Sequence, residues 1–115
     1  MSEELQWESS LSISAKKAGQ EKKHVLVVFS GLSCRGCRMM DSITFQNAAV
    51  KALIDKSFVP LKFESGRDAE QFLRFQVKGT PTTIVLSSGG DETGRITGYQ
   101  PPDELIKVLN DIQSS

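Results

Sequence analysis

Histidine, tryptophan and tyrosine each occur once in this chain of 115 residues, cysteine twice and proline four times. Two cysteines and the distant His24 cannot supply the four ligands that a structural zinc site takes from one chain, so no metal is expected. A surplus of one charge is also missing, because 14 basic residues meet 14 acidic ones for a formal net charge of zero. Such a chain lacks the long-range field that captures nucleic acid or an anionic membrane surface, so partners should be recognised by contact. No apolar run approaches the roughly 20 residues that span a bilayer, and Met1 to Leu11 is too acidic and polar for a secretory signal. The expectation is a soluble cytoplasmic protein that inserts in no membrane, or a periplasmic one if a signal or membrane portion has been removed. Length, with 38% apolar and 24% charged residues, fits a single domain over residues 1–115 with its core at about 9–113, expected as a monomer.

What is present alternates between helical and extended patterns. Ser9 to Gly19 carries Leu11, Ile13, Ala15 and Ala18, with Lys16 and Lys17 in its last turns, and predicts a helix that stops at Gly19. His24 to Ser30 is β-branched and apolar on both faces, as a central strand covered by helices on both sides should be. His24 itself reads as a solvated strand-edge residue. A short helix is expected from Arg35 to about Ile43, then a break at Thr44-Phe45-Gln46. Asn47 can cap a second helical piece that carries Val50, Leu53 and Ile54. Phe58 to Phe63 reads as a strand that Pro60 pushes toward an unpaired or irregular position. Asp68 to Phe75 fits a helix. Thr82 to Leu86 and Arg95 to Thr97 flank the turn-forming Ser88-Gly89-Gly90-Asp91 and should pair as a hairpin. Pro101 and Pro102 open a last helix through Leu105, Leu109 and Ile112.

The two cysteines share one short stretch, Ser33-Cys34-Arg35-Gly36-Cys37-Arg38, between the apolar strand and a helix start. Two intervening residues let both sulfurs meet over one helical turn, so they can close a disulfide or reopen it without moving the fold. The nucleophile in disulfide exchange is the thiolate, and a free thiol ionises only near a pKa of about 8.5. A helix N-terminus, with its unpaired N–H groups and positive dipole end, stabilises an anion at Cys34; comparable sites fall to about 3.5 to 7.5. Arg35 and Arg38 add positive charge that favours the thiolate. Cys34 is assigned as attacker and the more shielded Cys37 as resolver. A purely structural bridge is the blander alternative, but so small a loop scarcely constrains the unfolded chain. A second motif, Gly79-Thr80-Pro81-Thr82, reads as a turn entering a strand, where only proline accommodates a cis bond readily.

Strand, CxxC, helix, strand, helix, Gly-Thr-Pro-Thr, hairpin and terminal helix together resemble the thioredoxin superfamily over about residues 9–113. Thr44-Phe45, Val50, Leu53, Phe58-Val59-Pro60-Leu61-Lys62 and Gly98-Tyr99-Gln100-Pro101 look more similar to the DsbD C-terminal domain and related thioredoxin-like proteins than to thioredoxin itself. The resemblance implies an α/β thioredoxin fold, a central mixed sheet of about four strands flanked by helices on both faces. It also implies that Pro81 is cis and faces the dithiol, and that the backbone at Thr80 pairs with a substrate chain. Several positions depart from thioredoxin. Ser33 stands where thioredoxin has tryptophan, and Arg35-Gly36 where it has Gly-Pro. Val28 replaces an internal aspartate, whose lysine partner aligns with Pro60, leaving Glu64 as the nearest carboxylate along the chain. Trp7 is expected at the domain edge near the first helix, away from the dithiol.

The function so implied is a thiol-disulfide oxidoreductase that reduces protein disulfides through a mixed disulfide, without a cofactor. Its partners would be disulfide-containing proteins and an electron-donor reductase. A DsbD-like electron relay, or a disulfide isomerase or oxidant, uses the same chemistry in another direction. The rival of another class is a redox-silent module that binds a peptide in a groove around Leu32, Thr80 and Tyr99, or that only senses redox state.

Overall fold

The computed structural model describes residues 4–114. Four strands form one sheet in the order β2-β1-β3-β4: β1 (His24–Ser30), β2 (Phe58–Glu64), β3 (Thr82–Leu86) and β4 (Glu92–Thr97). β1 runs parallel to β2 and antiparallel to β3, and β4 returns antiparallel to β3. The helices are α1 (Leu11–Glu21), α2 (Arg35–Ser42), α3 (Ala48–Ser57), α4 (Ala69–Arg74) and α5 (Pro102–Gln113). This is the expected mixed sheet with helices on both faces.

Successive residues of β1 point to opposite faces, so its unbroken apolar run feeds two cores. Leu26 and Val28 pack with Met40 of α2, Val50 and Ile54 of α3, and Leu105 and Leu109 of α5. Val25, Val27 and Phe29 face the other way, with Ala18 of α1, Phe72 of α4 and Phe75 at its C-terminal cap. Phe29 is the hub there, its ring 5.4, 5.0 and 5.7 Å from those of Phe63, Phe72 and Phe75. The break after α2 is a single 3₁₀ turn at Thr44–Gln46, and the Asn47 carboxamide then caps α3 by accepting from the Ala49 and Val50 amides.

Four expectations need correction. α1 runs through Gly19 to Glu21 and ends instead at Lys22, whose left-handed φ of 57° turns the chain. Its inner positions include Ser14 and Ala18, while Ile13 is 58% exposed; the Ser14 hydroxyl satisfies itself on the Ser10 carbonyl at 2.8 Å. Pro60 sits in regular register opposite Leu26. β2 is an edge strand, and the Pro60 carbonyl points outward to accept from Glu8 N–H at 2.8 Å, so the proline nitrogen also faces away from β1 and no ladder bond is lost. The hairpin is longer than Arg95–Thr97, since β4 begins at Glu92, with an irregularity at Val85/Leu86. Trp7 packs edge-on to Phe45 in the 3₁₀ turn, with ring centroids 5.0 Å apart, so its neighbour is that turn and not α1. The same N-terminal stretch covers the free edge of β2, where Glu8 pairs with Leu61.

Candidate active site

Where β1 ends at Ser30, the chain turns through Gly31, Leu32 and Ser33 to place Cys34 as the N-cap of α2. Cys34 is extended (φ −124°, ψ 106°), and its sulfur accepts the Cys37 amide at 3.1 Å. That is the bond a serine or aspartate cap makes to the third residue of a helix, so the sulfur occupies the position where an anion is best received. Cys34 and Cys37 are joined as a disulfide, with Cα atoms 5.2 Å apart. Cys34 is partly exposed, whereas Cys37 is 3% exposed and its sulfur accepts the Gly31 amide at 3.3 Å. The outer sulfur is thus open to a partner chain and the inner one is held against the end of β1.

Two other segments meet this turn. The Thr80–Pro81 peptide bond is cis, as the resemblance implied. A Cβ at Gly36 would lie 3.0 Å from Pro81 Cδ and 3.7 Å from Tyr99 Cβ, and one at Gly31 would lie 2.8 Å from Thr80 Oγ1. Both glycines therefore lie in close approach to the Thr80-Pro81 loop, where an added side chain would force a neighbour to shift. Gly98 N–H donates to the Pro81 carbonyl at 2.8 Å, the Gln100 amide to Met40 Sδ at 3.4 Å, and Thr44 Oγ1 to the Gln100 carbonyl at 2.6 Å. These bonds fix the Tyr99 loop against α2 and β3. The contacts of Gly31 and Gly36 were missed from the sequence, although a glycine directly after the strand and another inside the motif were the available signals.

Arg35 and Arg38 are exposed on α2, and neither has an ion-pair partner among the described residues. Strand pairing places Lys62, not Pro60, beside Val28. The Lys62 ammonium is bound at 2.8 Å to Asp41 of α2 and lies 4.5 Å from the centre of the Trp7 ring. Glu64 lies opposite Ser30. Its charge, after the larger effect of the Asp68 hydrogen bond, helps hold the Arg67 guanidinium above its ordinary range. Among the described residues no carboxylate hydrogen-bonds either sulfur.

A cavity of about 810 Å³ opens between α1 and α4, lined by Leu11, Val25, Phe63, Gln71, Phe75 and Leu86, and touches none of these segments. Partly exposed Cys34 lies beside the exposed Leu32, Ser33 and Arg35, a rim that suits an extended chain. Among the described residues no helix is long and apolar enough to cross a membrane.

Comparison with known proteins agrees with this arrangement. The family model described as a thioredoxin-like domain matches residues 11–113. Thioredoxin H2-1 from Oryza sativa subsp. japonica is 38% identical over 93 residues, covering 81% of this chain; the chain spans 63% of that relative's length. The solution structure of a thioredoxin from Thermus thermophilus superposes with a TM-score of 0.82 at 25% identity, over 95% of this chain and 87% of the other. The C-terminal domain of Neisseria meningitidis DsbD in its oxidised form shares the fold, with a TM-score of 0.76 at 16% identity over 92% of this chain and 98% of that one. With its CxxC pair on the oxidoreductase fold and a family match across nearly its whole length, the chain belongs to the thioredoxin-like family.

Proposed function

We propose that the chain reduces disulfides in other proteins by dithiol exchange, with Cys34 as nucleophile and Cys37 as resolving thiol. The observation that carries this is the position of the Cys34 sulfur, partly exposed at the cap of α2 and receiving the Cys37 amide. After reduction by an external dithiol donor, the Cys34 thiolate attacks one sulfur of a substrate disulfide. A mixed disulfide forms, and the other substrate sulfur leaves as a thiolate that takes a proton from solvent. Cys37 then loses its proton and attacks the Cys34 sulfur, so the Cys34–Cys37 bond re-forms and the second substrate sulfur is released. The substrate gains two electrons and two protons in all, and the donor dithiol restores the chain.

Thr80 and Pro81 support this reading as a substrate shelf, since their loop touches both Gly31 and Gly36 around the sulfurs. Arg35 and Arg38 are proposed to favour the thiolate. A reducing cytoplasmic setting fits a reductase, and the chain is proposed to work as a monomer with a dedicated electron-donor reductase. Insulin reduction with dithiothreitol tests the proposal. Catalytic turnover is expected, and a dithiol that titrates but never turns over insulin would make the chain a redox-silent sensor instead. Equilibration with glutathione tests the direction: a potential near about −270 mV supports a reductase, and one near about −120 mV an oxidant.

A further inference from the structure

Three segments frame the disulfide: 31–38, 76–82 and 97–101. They contain three cations, Arg35, Arg38 and Lys78, and no acidic residue, in a chain whose basic and acidic residues number 14 each. All three cations are exposed. None forms an ion pair among the described residues. Asp41, the first acidic residue after the motif, is already taken by Lys62 at 2.8 Å. The positive charge at the site is thus local and uncompensated by its immediate surroundings.

Chain position sets these charges on the segments around the sulfurs. Arg35 lies between the cysteines, and Arg38 follows one turn later on the same face of α2. Lys78 stands two residues before Thr80, whose hydroxyl crowds Gly31. A chain lying along Thr80 and Pro81 would thus have the α2 cations next to the sulfurs and Lys78 two residues before the loop it lies on. Leu32, 81% exposed, adds an apolar contact at the same rim. With screening over about 8 Å at physiological salt, these charges act on the bound segment and not on the partner as a whole.

We propose that this face selects disulfides flanked by aspartate or glutamate, so that its partners are acidic disulfide-bearing protein segments. The proposal rests on the exchange reading above and adds the substrate class. Rim charges of this kind act mainly through association rate and salt dependence.

Three disulfide-linked peptides, identical except for glutamate, glutamine or lysine beside the cysteines, test it through kcat/KM at low and high salt. The glutamate peptide should exceed the lysine peptide by about tenfold or more at low salt, and the ratio should shrink toward one at high salt. Lys78→Glu should cut that ratio severalfold, while Lys56→Glu, the same charge change on α3, should leave it alone. Lys78 is informative because it lies off the helix that stabilises the thiolate. Equal kcat/KM for all three peptides would overturn the acidic preference while leaving the exchange reading intact. An equally charged oligonucleotide that competes as well as the glutamate peptide would also overturn it, showing a general anion surface. No turnover of any peptide would instead remove the exchange reading itself.

Discussion

Alanine at Gly31 sets two effects of opposite sign against each other, and the neighbouring Thr80 decides which wins. Gly31 does not hold a positive φ, so alanine is permitted there and by itself should stabilise by about 0.4–1 kcal/mol through the unfolded chain. The new Cβ would stand 2.8 Å from Thr80 Oγ1, however, and 3.6 Å from both Thr80 Cβ and Cys34 Cβ. Only the first of these contacts is too close, and overpacking of this sort costs about 1–3 kcal/mol. Gly31→Ala should therefore destabilise the oxidised protein by about 0.5–2 kcal/mol. In a Thr80→Ala background the offending oxygen is gone, and the same change should become stabilising by up to about 1 kcal/mol. Thr80→Val keeps a heavy atom at that place and should keep the penalty. Urea unfolding of the four proteins in the Gly31/Thr80→Ala cycle, with unchanged m-values, reads the coupling directly. A Gly31→Ala effect equal in both backgrounds would refute the close approach of the two loops.

Other consequences can be measured on the same protein. Trp7→Ala removes an edge-on contact with Phe45 and the ring beneath Lys62, so stability by circular dichroism should fall by about 2–3 kcal/mol; a loss under about 0.5 would contradict that packing. Glu92 is held below its ordinary carboxylate range by the Arg95 hydrogen bond, so the pair's contribution is present above the unfolded pKa and lost as pH falls through the lower folded value. Because the pair is exposed, that part should be about 0.5 kcal/mol or less. Arg95→Ala should also free the Phe75 and Gln76 carbonyls, a loss of about 1 kcal/mol that persists in acid; a loss that vanishes entirely at low pH would contradict it. In the reduced protein, thiolate absorbance should show one group ionising below the free-thiol value of about 8.5 and lost in Cys34→Ser. Two thiols ionising together near that value would contradict the cap geometry.

The parts of the fold legible in the sequence were those with local causes. The run Val25–Phe29 is apolar at every position and rich in β-branched residues, as a strand covered on both faces should be. Asn47 stops one helical piece and caps the next through its own side chain. The Cys34 cap and the Thr80-Pro81 turn were likewise visible in short motifs. What escaped depends on partners far along the chain. Gly19 reads as a stop, yet α1 continues to Glu21, where Lys22 adopts the left-handed turn and its amide returns to Ala18. Pro60 looked disruptive because nothing local says that its nitrogen faces the open side of an edge strand. Lys62 became the neighbour of Val28 only through the register of two strands separated by α2 and α3. The crowding at Gly31 and Gly36 comes from a loop more than 40 residues later, which no spacing within the motif encodes.

Trapping of the mixed disulfide tests the central claim most directly. Reduced Cys37→Ser and Cys34→Ser proteins are mixed with a disulfide-bonded protein substrate, quenched with acid and analysed by mass without reductant. Cys37→Ser should accumulate an adduct through Cys34 that persists for lack of a resolving thiol, and Cys34→Ser should accumulate none. Adducts of equal yield in both variants, or in neither, would contradict the assignment of attacker and resolver on which the proposed exchange depends.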